Sequence, residues 1–337
     1  HIVTSQMRAE DYMRVSDILG HGGDLDMSGL NSDRGAAYLA ISNYVWFTSE
    51  RLSNIVEFVS KQIGIEPLVS VRMQILNVIG AISKYDQETA VELLVKLGEV
   101  DLGSLACRAG VNISRWAVFN YTSYMSALVY EMCASDEDGV KALGFLLLSD
   151  MSLSDADVEN YFRSIWAQEV LARQVAAFNA VVNVGAGAVA KIAMAWLLEF
   201  YFDSVKLVRD DTAGTDWLVV FDSLDDGFAF AKAYLSSPAF EESPDGMFRA
   251  ISERIEDFPD IAICIVERVI NLLEVVRPEG ETFRFGSLHE LGQVLINIYR
   301  LVEGTGAREK QILDIFDSYL AHESYGAREA LVEFERI

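Results

Sequence analysis

The sequence predicts an all-α fold, an irregular α-solenoid of stacked helical hairpins. Three observations lead there. Apolar residues recur at helical spacing along most of the 337 residues. Only 5 prolines interrupt them, and a proline inside a helix removes a backbone donor and clashes with the preceding turn. Strand signals are confined to two short runs, 217–221 and 282–285, too little to build a sheet.

The helical period can be counted. Val71, Ile75, Val78, Ile79 and Ile82 fall at i, i+4, i+7, i+8 and i+11. Leu291, Val294, Leu295, Ile298, Leu301 and Val302 repeat the pattern, and Ile312, Leu313, Phe316 and Leu320 continue it. Each set makes one apolar stripe on a helix. In chain order the pattern predicts helices near 6–19, 33–47, 49–63, 67–83, 87–98, 112–133, 136–148, 155–180, 187–205, 223–236, 244–256, 259–276, 287–303, 307–321 and 326–335. The glycine-rich stretch 19–31 reads as a polar loop, and 208–215 as a second break.

Start signals accompany several of these helices. Ser287 with Glu290 is a capping box, in which each side chain satisfies a free backbone N–H. Ser135 with Asp138 and Ser154 with Asp157 are weaker versions. Ser243-Pro244 reads as an N-cap followed by proline at the first helical position, and Pro67 and Pro259 open helices in the same way. Toward the C-terminus the helix starts fall roughly twenty residues apart, so a two-helix unit spans about forty, the range of HEAT or armadillo-like repeats. No repeated signature is visible in the earlier part. We therefore divide the chain into an irregular helical domain, 1–207, and a C-terminal helical-repeat domain, 208–337.

Composition excludes several classes of function. The chain is 51% hydrophobic with a mean hydropathy of +0.20, enough for one core or two and too apolar for disorder. Lys+Arg total 27 against Asp+Glu 51, a net charge of -24. Nucleic-acid backbones and anionic membranes are repelled by such a surface, so direct nucleic-acid contact is not expected. Acidity implies solubility or a basic partner. The 3 cysteines, Cys107, Cys133 and Cys264, are odd in number and far apart in apolar helical patterns. They read as free thiols in a reducing compartment, hence the cytoplasm. No charged-then-apolar leader opens the chain, and His1 reads as a tag remnant or a cut inside a longer chain.

The most apolar segment is 175–202. A membrane span needs about 20 uninterrupted apolar residues. Here Asn179, Asn183, Lys191 and Glu199 interrupt, and Gly185-Ala186-Gly187 breaks the helix. Two core helices joined at the glycines is the expectation, with a membrane-inserting hairpin as its rival.

No set of residues carries recognisable chemistry, and no catalytic, cofactor or metal residue is assigned. Gly185, Gly187 and Ala190 follow the dinucleotide-binding turn G-x-G-x-x-A, which must follow a strand; Val181–Val184 is a poor one. Asp24, Asp26, Ser28 and Gly29 occupy the first ligand positions of a calcium-binding loop, but Gly35 stands where its bidentate glutamate belongs. Asp210, Asp211 and Asp216 cluster without a nearby histidine and read as a solvated loop. Asp136, Glu137 and Asp138 read as the acidic first turn of a helix. The histidines, His1, His21, His289 and His322, form no H-E-x-x-H, and no C-x-x-C, phosphate-binding loop or G-x-S-x-G is present. An unrecognised all-α active site would centre on Lys191 and Glu199, ionisable groups in apolar surroundings. Trp46, Trp116, Trp166, Trp196 and Trp217 are core residues or exposed interface anchors.

The stretch from Phe221 to Ile337 carries a resemblance. It holds Pro259-Asp260 ahead of an apolar helix, a helix ending in Tyr299-Arg300, and a last hairpin with Tyr325-Gly326, Glu333 and Arg336. It resembles the helical-repeat tail of large bacterial ATP-binding proteins, including STAND-type NTPases of antiviral defence. The resemblance covers about a third of the chain and its motifs are mostly structural. It implies a C-terminal arm acting as sensor or scaffold, with a protein partner or the parent's other domains as ligand. Self-association is compatible with that role. No catalytic residue carries over, because the family's phosphate-binding loop belongs to a domain outside this chain.

Overall fold

A computed structural model describes residues 23–223, 227–274, 288–321 and 330–332. Among them all regular structure is helical and no strand occurs. Contacts divide the chain into two units, His1–Asn179 and Ala180–Ile337.

Unit 1 begins with α1 (Gly23–Leu30), α2 (Asp33–Phe47), α3 (Leu52–Ile65), α4 (Val69–Ile82) and α5 (Gln87–Val100). A 3-10 turn, Leu102–Leu105, leads to α6 (Arg108–Asn120), α7 (Thr122–Cys133), α8 (Asp138–Ser152) and α9 (Ala156–Trp166). Then α10 (Val170–Asn183) begins within it. The helices stack in two layers. α2, α4, α6 and α8 each pack on the next in that series, and α3, α5 and α7 form the second series. Contact one and two helices along the chain is the pattern of a solenoid of hairpins.

Local sequence accounts for the helix starts. Ser32 has extended backbone and its Oγ accepts from Gly35 N at 3.0 Å, opening α2. Asp86 does the same for Thr89 N at 3.1 Å at the head of α5, and Asp155 for Asp157 N and Val158 N at the head of α9. A carboxylate there satisfies otherwise unpaired donors and sits at the positive end of the helix dipole. Burial follows the layers. The α4 stripe of Val71, Ile75, Val78, Ile79 and Ile82 is fully buried, while α3 buries only Val59 and Ile63. In α8 every residue from Ala142 to Ser152 is buried, so this helix is the centre of its neighbourhood. Each fully buried Leu, Phe or Met there contributes about 1.5–3 kcal/mol. Gly144 allows a close approach: a Cβ on it would lie 2.6 Å from the backbone nitrogen of Cys133 on α7.

Polar groups stitch the N-terminal ends of the first layer. The buried Glu66 carboxylate, just before α4, pairs with Arg34 of α2 at 3.0 Å and accepts from Leu68 N at 3.1 Å. Arg72 of α4 donates from Nε to the Glu66 carbonyl (2.7 Å) and from Nη1 to Asp101 (3.0 Å). Asp101 in turn accepts from Ser104 Oγ and Gly103 N, setting the turn into α6.

Unit 2 holds the 3-10 turn Gly187–Val189, then α11 (Ala190–Phe200), α12 (Lys206–Asp211), α13 (Trp217–Ser223) and α14 (Gly227–Leu235). They are followed by α15 (Pro238–Glu242), α16 (Asp245–Ser252), α17 (Pro259–Glu274), α18 (Leu288–Val302) and α19 (Ala307–Ala321). Its first half packs helices three apart: α12 on α15, α13 on α16, α14 on α17. An aromatic cluster lies at the centre, with Tyr234 4.6 Å from both Tyr201 and Trp217 between ring centroids. The Tyr201 hydroxyl is fully buried against Thr215 Oγ1 at 3.2 Å. α17, α18 and α19 pack mutually in the second half.

Several expected boundaries differ. The helix expected at 112–133 breaks at Tyr121 (φ -140°, ψ 45°), where Asn120 Nδ2 and Thr122 Oγ1 donate to the carbonyls of Trp116 and Val118. Side chains there compete for carbonyls a continuing helix would use. The helix expected at 155–180 breaks after Trp166, whose carbonyl accepts from Arg173 Nη1 at 2.9 Å. The expected loop 19–31 contains α1, and the break 208–215 contains the end of α12. The run 217–221, noted for its strand character, is helical because Asp216 caps it through Leu218 N and Val219 N. Trp217 and Phe221 then face one side at i, i+4. At Ser135 and Ser154 the capping differs: Ser135 Oγ accepts from Glu137 N in a turn, and Asp155 replaces Ser154 as cap. Serine followed by proline does open a helix, at Ser237-Pro238, whereas Ser243 ends α15. Proline 259 opens α17 as expected. The expected helix 6–19, the run 282–285, Ser287 and Tyr325-Gly326 lie outside the described residues.

Candidate functional site

The C-terminal ends of α2, α4 and α6 carry a ridge of exposed aromatic side chains. α2 ends in Trp46 and Phe47, and Phe47 is 90% exposed, the most exposed large apolar side chain described. Tyr85 follows α4. Phe119 lies in the last turn of α6, and Tyr124 opens α7. Side-chain contacts join these ends. Lys84 Nζ donates to the Trp46 carbonyl at 2.7 Å and stands 5.7 Å from the Trp46 ring and 5.2 Å from the Tyr85 ring. Tyr121 donates to Gln87 Oε1 at 3.2 Å and packs on Trp116 and Tyr124 at centroid distances of 5.9 and 6.2 Å. The other end of the same three helices is the Arg34–Glu66–Arg72–Asp101 network. One end is closed by ion pairs, the other presents apolar rings to solvent. On a helical scaffold, large exposed aromatics grouped in this way mark a recognition surface.

Charges at the ridge are mixed. No basic residue occupies the last turn of α2, α4 or α6, but Lys84 caps the Trp46 carbonyl, and α3, α5 and α7 begin at this same end, so positive dipole ends stand beside the negative ones. Glu50 and Glu88 are exposed beside it. Lys84 and Arg51 are the chain's own cations in that stretch.

The sequence-derived candidates fall elsewhere. Lys191 and Glu199, expected to be buried on an apolar helix, are both exposed on α11, because the apolar face buries Ala193, Met194, Trp196 and Leu197 instead. Gly185–Ala190 follows a helix and forms a 3-10 turn; Gly187 has φ +56°, and a Cβ on Gly185 would lie 2.4 Å from Val219 Cγ1. The glycines serve a tight connection. Asp24, Asp26, Ser28 and Gly29 belong to α1 rather than a loop. Asp210 pairs with Lys206 at 2.8 Å, Asp211 is buried, and Asp216 caps α13. No helix among the described residues is long and apolar enough to cross a membrane; α10 and α11 divide the apolar segment at the glycines. Of the tryptophans, Trp166, Trp196 and Trp217 are buried, Trp116 is half-buried and Trp46 exposed. His1, His21 and His322 lie outside the described residues.

The most buried carboxylate among the described residues is Asp150 of α8, held by Arg115 of α6 through Nε–Oδ2 (2.7 Å) and Nη2–Oδ1 (2.8 Å). Arg115 also reaches Asn179 Oδ1 at 3.2 Å, and Asn179 donates to Ser149 Oγ at 2.7 Å. Burial pushes the Asp150 carboxyl up, and Arg115 and Asn179 draw it back only in part. The pair ties α6, α8 and α10 together. Two open clefts lie in unit 2, of about 450 Å³ beside Arg254 and Arg300 and about 470 Å³ beside Glu267 and Lys310. Neither sets a nucleophile against a base: their serines, Ser252 and Ser318, donate to backbone carbonyls of their own helices. Among the described residues no three His, Cys, Asp or Glu side chains converge as a metal site.

No family model matches the chain, and no curated protein or solved structure does.

Proposed function

We propose that this chain is a non-catalytic helical scaffold that binds a protein partner across the aromatic ridge of its first unit. The observation that carries this reading is the ridge itself: Trp46, Phe47, Tyr85, Phe119 and Tyr124 exposed together at one end of a layer whose other end is closed by ion pairs. Burying an aromatic side chain at an interface contributes strongly, and a rigid helical stack loses little entropy in presenting it. The resemblance of the segment from Phe221 onward supports a narrower version. In it, the scaffold is the sensor arm of a larger bacterial NTPase, of the STAND type used in antiviral defence, working in the cytoplasm. The free thiols Cys107, Cys133 and Cys264 agree with a reducing compartment.

A photo-crosslinking side chain placed at Phe47 or Tyr124 tests the first statement, with the same group at Glu253 of unit 2 as control. In cells carrying the gene, the ridge positions give a discrete higher-mass adduct and the control does not. Adducts from all three positions, or from none, overturn the reading.

A further inference from the structure

We draw no further inference here: the strongest candidate, the open cleft of about 450 Å³ that the end of α16 and the turn after it form with α18 in unit 2, carries nothing because its walls set solvent-exposed charges of both signs side by side, Arg300 with Glu253 and Glu256, and no feature of it selects one ligand.

Discussion

Arg115 grips Asp150 with two parallel hydrogen bonds of 2.7 and 2.8 Å, and the carboxylate it holds has no exposure to solvent. The two partners are not equivalent. Arg115 keeps about a quarter of its side-chain surface in water, 24%, while Asp150 keeps 0%. Losing the arginine strands a buried charge; losing the aspartate frees a guanidinium that solvent can reach. Arg115→Met is expected to destabilise unit 1 by about 3–5 kcal/mol, and Asp150→Ala by less. Urea unfolding of the two variants gives the order, and equal losses would contradict it.

The same pair predicts a pH dependence. The folded-state pKa of Asp150 lies above its ordinary value because burial disfavours the charge. A raised pKa means the folded state holds the proton more tightly. The stability this group contributes is therefore fully present below the unfolded-state pKa, about 3.9, and is lost as pH rises through the folded value. Removing Arg115 raises the folded value further. The penalty of Arg115→Met is expected to grow with pH above about 4 and to shrink in acid. Unfolding measured across that range checks it; a penalty independent of pH would contradict it.

Gly144 and Gly64 are opposite tests of helix packing. A Cβ on Gly144 meets the α7 backbone at 2.6 Å, whereas one on Gly64 meets nothing within 4 Å. Gly144→Ala is expected to cost about 1–3 kcal/mol through overpacking. Gly64→Ala, near the exposed end of α3, is expected to gain up to about 1 kcal/mol by restricting the unfolded chain. Thermal melts of the two variants should move in opposite directions.

Burial pushes the Cys133 thiol up to about 12, and Cys264 is also raised, chiefly by burial. Only the thiolate reacts. At neutral pH alkylation of Cys133 should run roughly a thousandfold slower than that of an unperturbed thiol. All 3 cysteines should react at ordinary rates in denaturant. Mass spectrometry after timed iodoacetamide treatment distinguishes this from a reactive native thiol.

Tyr201 and Phe47 separate folding from surface chemistry. Tyr201→Ala empties the centre of the aromatic cluster and should cost about 3–5 kcal/mol, with loss of the near-ultraviolet signal of Trp217. Phe47→Ser, at a residue 90% exposed, should alter stability by no more than about 0.5 kcal/mol.

The helices were legible where apolar spacing was strict: every residue of the 71–82 stripe is buried. Breaks at Tyr121 and after Trp166 were not legible, because they depend on which side chain takes a carbonyl, and spacing is silent on that. The 217–221 run carries β-branched and aromatic residues, yet the Asp216 cap and packing on Tyr234 decide for helix. The ridge was hidden for a different reason. Trp46 and Trp196 both sit in apolar helical patterns, and only the stacking of layers leaves one exposed and buries the other. Lys191 and Glu199 misled for the same reason: an apolar helix still has an outward face.

Division of labour between the two ends of the first layer has a consequence for how such a chain can change over generations. The ion-paired end and the buried stripe tolerate little, since each substitution there is paid in folding. The rings at the far end touch one another and Lys84 but leave much of their surface exposed, so they can be exchanged one at a time while the stack keeps its form. Recognition can thus drift, or be re-aimed at a new ligand, without passing through an unfolded ancestor.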